Sequence, residues 1–530
     1  MGFLTGYSGI TGKPLIRLVG LTCSVAFILF GYEQGVMGGV ISGSGFTAQF
    51  PTINTTTGNG NSTLQGFVVA VYSLGCWIGS LLCALFADRI GRKRTVITGE
   101  CILIVGTAIQ CSAFGLPQLI VGRIITGMGN GMITSTIPVW HSELLRAKSR
   151  GRFITTELST NVGGVAVAYW VDYGLGFTKG GLQWRLPIAL QIVFALSTIT
   201  LISLLPETPR WLLNHDRNEE AMEVLQRLYS EDEAQPNGAG VAERERVAIV
   251  TAIAQERLAQ EQLGGKSALR MVFTNRGQRT FYRTCLGVGA QVMQQLSGIN
   301  LVSYYATFIF VTSIGFSERF SSLMSGILSI FFYFATWIPV LIIDRVGRRP
   351  LLMTGSVGMA IGMFVLTGTA SVGTFSTGIV ATVFLFWYNF WFGVGWIPGP
   401  WLLTAEYAPL MTRTQSAAIS SSTSWIFTFL VAMTTPVAIN NIGSKTYIIY
   451  GMFNVVSIGV VYFFYPETKG KTLEQIDLIF SGPKVLMHAT TEELEELQRQ
   501  EIAAAIAENR IGVSADKAIA LGHINPEDAA

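Results

Sequence analysis

The sequence predicts an all-α membrane protein: twelve transmembrane helices in two six-helix halves, with a cytoplasmic helical linker between them. Half of the 530 residues are hydrophobic and only 13% are charged, against roughly 25% charged residues in an ordinary soluble domain. Twelve apolar stretches stand near the roughly 20 residues that a helix needs to cross the hydrocarbon. Three motifs recur in one order: DRIGRKR at Asp88–Arg94 with DRVGRR at Asp344–Arg349, Glu143 seven residues before Arg150 with Glu406 seven before Arg413, and PET at 206–208 with PET at 466–468. The offsets of 256, 263 and 260 residues are nearly constant, so one membrane unit occurs twice. Duplicated membrane halves point to a transporter with its site at their interface.

Residues 1–15 form a short N-terminal segment before the first half, 16–207, whose spans read as about 16–40, 66–87, 95–114, 118–140, 154–174 and 186–205. The linker, 208–280, holds the amphipathic run RNEEAMEVLQRLY at Arg217–Tyr229 and a breaker, QPNGAG, at 235–240, and so reads as a small helical cap under the bundle. The second half, 281–466, has spans at about 282–312, 321–343, 350–370, 377–404, 415–438 and 447–465. Within the tenth of these, GWIPGPW (Gly395–Trp401) places two prolines and two glycines where they break the helix and make a gating hinge. The tail, 467–530, contains TEELEELQRQEIAAAIAENR at Thr491–Arg510, which reads as a solvated helix.

Charge sets the topology. Arg89, Arg92, Lys93 and Arg94 follow the second span, Arg146, Lys148, Arg150 and Arg152 the fourth, and Arg345, Arg348 and Arg349 the eighth, while the alternate loops are nearly free of basic residues. Short cytoplasmic loops retain Lys and Arg, so both termini and the linker are expected in the cytoplasm and the protein in the plasma membrane. The net charge of +3 reflects that topology, not nucleic-acid binding. The first external loop, 41–65, has no charged residue and carries glycosylation sequons at Asn54 and Asn61. No cleavable signal peptide is expected, because the first apolar segment is long and lacks a small-residue cleavage site.

The six cysteines all fall in predicted spans without metal-ligand spacing, and the four histidines, His141, His215, His488 and His523, are scattered. Neither a metal site, a cofactor nor an enzyme is expected. Chemistry is instead suggested by charge and amides at membrane depth. Glu33 stands inside an apolar span, where a charge costs at least about 2.5 kcal/mol. At about 1.5 Å per residue, Glu33 lies roughly 25 Å up its helix and Arg123 roughly 8 Å down its own, so the two meet within a turn. Arg123, Gly127 and Gly131 share one face, whose small residues admit a neighbouring backbone. Gln294, Gln295 and Asn300 are three amides in the seventh span, costly as mere packing and suited to a neutral polyhydroxylated solute. On a straight helix Gln295 and Asn300 point about 140° apart, so a bend is expected at Ser297-Gly298.

With the doubled D-R-x-G-R-[KR] loops, PETPRWL (Pro206–Leu212), PETKG (Pro466–Gly470), QQLSGIN (Gln294–Asn300) with Tyr304 and Tyr305, and RIITGMGNG (Arg123–Gly131), the chain resembles the sugar porter family of the major facilitator superfamily over about residues 15–480. FGYEQGVMGG, TSTIPVWHSE, AYWVDYGL and QWRLPIALQIVFAL look most like the fungal branch that includes glycerol-proton symporters beside sugar carriers. The resemblance implies the major facilitator fold and a monomeric carrier of a small neutral sugar or polyol together with protons. It implies that Glu33, at a position usually held by aspartate, takes up the proton, with Arg123 as its counter-ion; a permanent ion pair between two helices is the alternative. It implies a substrate site of Gln294, Gln295, Asn300, Tyr304 and Trp401, with Ser424 and Trp425 in the eleventh span. It also implies a cytoplasmic gate in which Asp88, Arg92, Glu143 and Arg150 pair across the halves with Asp344, Arg348, Glu406 and Arg413.

Three departures from the resembled hexose carriers narrow the expectation. Leu158 stands where a glutamine is usual, Phe332 where an asparagine is usual, and Ser424 where an amide is usual. They weaken glucose as the substrate and favour a pentose or a polyol such as glycerol. Glu157, beside Leu158, either restores polarity to the pocket or is an acid at a helix interface. A monosaccharide-proton symporter is the leading expectation; a polyol symporter, a facilitative uniporter and a non-transporting sensor are the alternatives.

Overall fold

The computed structural model describes residues 9–55, 60–144, 150–230, 240–262, 272–273, 279–372, 374–409, 412–471, 473–481, 485–487, 489–490, 492–497 and 499, without the side chains of 150–154, 252, 255–262, 375, 413, 414, 473 and 474. The first half comprises α1 (Gly12–Val40), α2 (Ser62–Ile90), α3 (Arg92–Cys111), α4 (Leu116–Leu144), α5 (Arg150–Leu175) and α6 (Leu182–Ser203). In the second, α7 is broken into Thr280–Leu296 and Ile299–Thr312 and α8 into Glu318–Ala335 and Trp337–Val346; α9 is Arg348–Val372, and α10 runs through Phe375–Trp391 and Gly399–Tyr407. Then follow α11 (Arg413–Ile442) and α12 (Lys445–Phe464). The expected spans all appear, generally a few residues longer, and the described residues contain no strand.

Nine of the described spans are long and apolar enough to cross a membrane by composition alone. The three that are not, α4, α5 and α7, are those carrying Arg123, Glu157 with Asn161, and the amides of QQLSGIN.

Both halves pack alike. In the first, α1 lies against α5 and α6, α4 against α2 and α3, and α3 against α6; in the second, α7 lies against α11 and α12, α9 against α10 and α12. The halves meet through α2 with α11, α5 with α8, and α1 with the outer part of α7. Small residues permit the close approaches. A Cβ at Gly127 would collide with the carbonyl of Tyr72, and one at Gly131 with that of Cys76, so the predicted glycine face of α4 is what seats α2.

Sequence chemistry also places the breaks. The interruption in α7 falls at Ser297 and Gly298, where Gly298 has φ +102°, a left-handed conformation that glycine adopts without steric cost. The break in α10 begins earlier than the prolines, with a π-helical turn at Phe392–Trp396, before Pro398 and Gly399 restart the helix. The break in α8 after Thr336 was not expected from the sequence.

The linker forms helices at Pro209–Asn214, Asn218–Leu228 and Val241–Gln262. The second buries Ala221, Val224, Leu225 and Leu228, the apolar stripe of the predicted amphipathic run. Residues 235–239 of the breaker, and His488, His523 and residues 500–530 of the tail, lie outside the described residues. Nearer the bundle, the helix Leu473–Ser481 docks under α7: Asp477 pairs with Arg283 at 2.5 Å and the guanidinium lies 4.8 Å from the Phe480 ring centre.

The PET motifs have matching structural roles. Glu207 accepts from the backbone N–H groups of Arg92 (3.1 Å) and Lys93 (3.1 Å), at the first turn of α3. Glu467 accepts from those of Arg348 (3.1 Å) and Arg349 (3.0 Å), at the first turn of α9. A carboxylate at a helix N-terminus satisfies orphan donors and favours the dipole. Gly91 and Gly347, at φ +99° and +104°, leave room for it, since a Cβ at either would press on the glutamate side chain. The repeated glycine of D-R-x-G-R and the repeated glutamate of PET are therefore two parts of one device.

Candidate functional site

Between the halves lies a cavity with about 720 Å³ of atom-free space, including the part open to solvent. Its second-half wall presents Gln294, Gln295 and Asn300 from the bent α7, Trp401 from the restarted α10, and Ser424 with Trp425 from α11. The bend does what the angle requires, because Asn300 Nδ2 donates to Gln295 Oε1 at 2.6 Å. Gln295 Nε2 donates to Ser424 Oγ (2.9 Å), and Gln294 Nε2 to the Trp396 carbonyl (2.7 Å) that the π-helical turn presents. These amides are mutually oriented before any solute arrives.

The first-half wall is more apolar: Phe30, Leu158, Val162 and Val165, relieved by Gln34 and Asn161. Phe332, Phe392 and Ile397 extend the apolar surface from the second half. Such a cavity, apolar with a few convergent polar groups, suits a small solute with hydroxyl and C–H faces.

Beside the cavity is a buried charged cluster. Glu33 and Arg123 are both fully buried. Neither Glu33 carboxylate oxygen has a hydrogen-bond partner among the described residues, and no ion pair joins it to Arg123. Arg123 instead donates from Nη2 to the Val69 carbonyl at 2.9 Å and lies 5.3 Å from the Tyr72 ring centre. The depth argument thus brings the two residues to one level and into one electrostatic environment, but not into contact.

A family description, "Sugar (and other) transporter", matches residues 19–480. The chain belongs to this family. "Sugar transporter STL1" of Saccharomyces cerevisiae is 35% identical over 486 residues, covering 90% of this chain and 83% of its own length. The "High-affinity glucose transporter" of Kluyveromyces lactis is 30% identical over 485 residues, 87% of this chain and 84% of its own. Among solved structures, the proton:xylose symporter XylE bound to 6-bromo-6-deoxy-D-glucose superposes with a TM-score of 0.73 at 26% identity, covering 88% of this chain and 100% of its own. The protein is a sugar transporter of the major facilitator superfamily, with that superfamily's twelve-helix fold; it is not an enzyme.

In this sugar transporter several residues stand elsewhere than the sequence suggested. Tyr304 is buried and does not line the cavity; it packs in the electrostatic environment of Arg123, Glu33 and Cys76. Glu157 is at a helix interface and not in the cavity, hydrogen-bonded to His141 Nδ1 of α4. Cys23 of α1 joins that pair, so that ligand-type atoms of Cys23, His141 and Glu157 lie within 4.8 Å of one another. Scattered sequence positions concealed this clustering, which three separate helices create.

The charges of the expected gate pair differently from that expectation. Arg92 reaches Asp88 (2.6 Å) and Glu143 (3.6 Å), both in its own half. Arg348 reaches Asp344 (3.1 Å) and Glu406 (3.0 Å), again in its own half. The cross-half pairing is thus not formed by these six residues here; the side chains of Arg150 and Arg413 lie outside the described residues. The halves do meet at the opposite end, where a Cβ at Gly66 would collide with the Met433 carbonyl, Phe67 packs edge-on against Phe429, and Tyr169 donates to the Ser303 carbonyl at 2.8 Å.

Sequence reasoning missed Gln34 and Asn161. The signal was present, since Leu158, Asn161, Val162 and Val165 follow the i, i+3, i+4, i+7 spacing of a single helix face. In the loop before α2, Asn61 is exposed and its Oδ1 accepts from the Leu64 N–H at 3.0 Å, capping α2.

Proposed function

We propose that this chain takes up a monosaccharide, hexose or pentose, together with protons across the plasma membrane by alternating access. The observation that carries the reading is Glu33: a fully buried carboxyl, unpaired on both oxygens, facing the electrostatic influence of Arg123 next to an amide-lined cavity. A buried carboxylate without a hydrogen bond is costly, and a proton removes that cost. Glu33 then carries the proton, and Arg123, held by the Val69 carbonyl and Tyr72, favours its release when the cluster is hydrated.

Gln294, Gln295, Asn300 and Ser424 bind the hydroxyls, while Trp401 and Trp425 offer aromatic faces to the C–H side. The positive-inside pattern puts both termini and the charged clusters in the cytoplasm. With the halves closed at the far end, this conformation faces inward, and the charges of Arg92 and Arg348 exchange partners as the cytoplasmic end closes. The similarity to XylE, a proton:xylose symporter, supports both the coupling and a monosaccharide. The apolar patch of Leu158, Phe332 and Phe392 supports a second reading, a short polyol such as glycerol, because fewer hydroxyls then lack partners.

The test is alkalinisation of an unbuffered suspension of transporter-deficient yeast expressing the chain, with glucose, xylose and glycerol added singly. A pH rise with one solute names substrate and coupling together, and Glu33→Gln should abolish the rise and accumulation while equilibrative exchange persists. Full concentrative uptake by Glu33→Gln removes the proton role; solute entry without any pH change leaves a uniporter.

A further inference from the structure

The amides of the second half are largely committed to one another before substrate arrives, from Asn300 to Gln295, Gln295 to Ser424 and Gln294 to Trp396. The first half offers a different resource. Asn161 lines the cavity, is only 8% exposed, and has an Nδ2 without a hydrogen-bond partner among the described residues. A buried amide donor left unmatched is unfavourable, and here the space it faces is the cavity. Its backbone is also fixed, because α1 approaches so closely that a Cβ at Gly31 would collide with the Asn161 carbonyl. A packed backbone and a free donor facing the cavity make a preorganised binding group.

Its position explains how the site works without polarity at 158. Asn161 and Leu158 are three residues apart on one face of α5, a displacement of about 4.5 Å along the helix axis. The polar point of the first-half wall has moved one turn toward the end where the halves close, and Leu158, with Phe332 across the cavity, presents only carbon below it. Glu157 does not compensate, since it faces His141.

Resting on the transport reading above, we propose that Asn161 is a substrate-binding residue that donates from Nδ2 to one particular hydroxyl of the solute and selects solutes carrying that hydroxyl. The solute then spans the halves: the α7 amides hold one edge, Asn161 holds a hydroxyl on the opposite side, and the C–H flank lies on Leu158 and Phe332. Because Asn161 moves with the first half and the α7 amides with the second, solutes that bridge them draw the halves together.

The experiment measures KM in the same yeast for whichever of glucose, xylose and glycerol the wild type carries best, and for its monodeoxy analogues (the propanediols for glycerol), in wild type and Asn161→Leu. Asn161→Leu should raise KM at least tenfold for the parent solute, yet leave KM within twofold of wild type for the one analogue lacking the recognised hydroxyl. Leu158→Gln added to Asn161→Leu should recover part of the lost affinity with a different analogue profile. If Asn161→Leu fails to reach the membrane, Asn161→Ala, smaller and helix-favouring, carries the same comparison. A parent KM within twofold of wild type at normal surface abundance overturns the assignment, as does an equal loss for every analogue, which is what a structural role would give. A wild type that carries none of the three solutes instead removes the transport reading on which the assignment rests.

Discussion

The two halves share a packing plan and a helix-capping device but bury different chemistry. Within its spans the first half buries Glu33, Glu100, Arg123 and the His141–Glu157 pair. At the corresponding level of the second half stand amides and hydroxyls, Gln294, Gln295, Asn300 and Ser424, joined by hydrogen bonds. Its cations, the buried Arg283 and the partly buried Arg348, lie at the end away from where the halves close and are paired with Asp477 and Glu406. On the reading proposed above, a duplicated fold has been divided, buried charge on one side and most of solute recognition on the other, with Gln34 and Asn161 as first-half amides that reach the same cavity.

The largest expected effect is a break on the charged side. Arg123→Leu leaves Glu33 buried without its nearby cation and removes the hydrogen bond to the Val69 carbonyl; a buried polar group left unmatched costs about 1–3 kcal/mol. The variant should melt well below wild type and should not accumulate solute. Retained accumulation at normal stability would mean that the charges of the first half are not the coupling machinery.

On the recognition side Gln295→Leu should act more locally. Asn300 loses its acceptor and Ser424 its donor, and each unsatisfied buried group costs about 1–3 kcal/mol. The expected result is a KM raised at least tenfold with an unchanged proton-to-solute ratio, read from simultaneous pH and isotope uptake. A changed ratio would show that the α7 amides also belong to coupling, and the division between halves would fail.

These differences were unequally legible in the sequence. Repetition revealed the halves, hydropathy the spans, and an impossible angle between Gln295 and Asn300 the bend at Gly298. All of these are local or periodic quantities. Tyr304 was misplaced, Asn161 was missed and Glu157 was left between two readings because which face of a helix meets a cavity depends on packing between distant segments, not on the residue's own neighbours in sequence. The break at Thr336 has its signal in Pro339, which has no N–H for the Ala335 carbonyl, and that signal was passed over. The cytoplasmic charges were assigned to cross-half pairs by resemblance, but Arg92 and Arg348 each have acids of their own half within reach in this conformation.

What the halves share can be tested as sharply as what they divide. Glu207→Gln and Glu467→Gln each weaken an anion at a helix N-terminus while retaining an acceptor oxygen, a change of about 0.3–1 kcal/mol. The two should cost about the same, measured as thermal unfolding of the purified protein. Unequal losses would mean that the repeated motif has been given a second task in one half.

The smallest effect concerns the outer helix ends, where Asn61 caps α2 and Thr374 caps α10. Asn61→Ala and Thr374→Ala should each lose about 1 kcal/mol, again showing no preference between halves. Asn61→Ser separates capping from glycosylation, because serine retains an oxygen for the Leu64 N–H but destroys the sequon. Stability should therefore stay within a few tenths of a kcal/mol of wild type, while an endoglycosidase-sensitive mobility shift disappears if Asn61 carries a glycan. A loss as large as that of Asn61→Ala would show that the asparagine amide, and not merely an accepting oxygen, holds the start of α2.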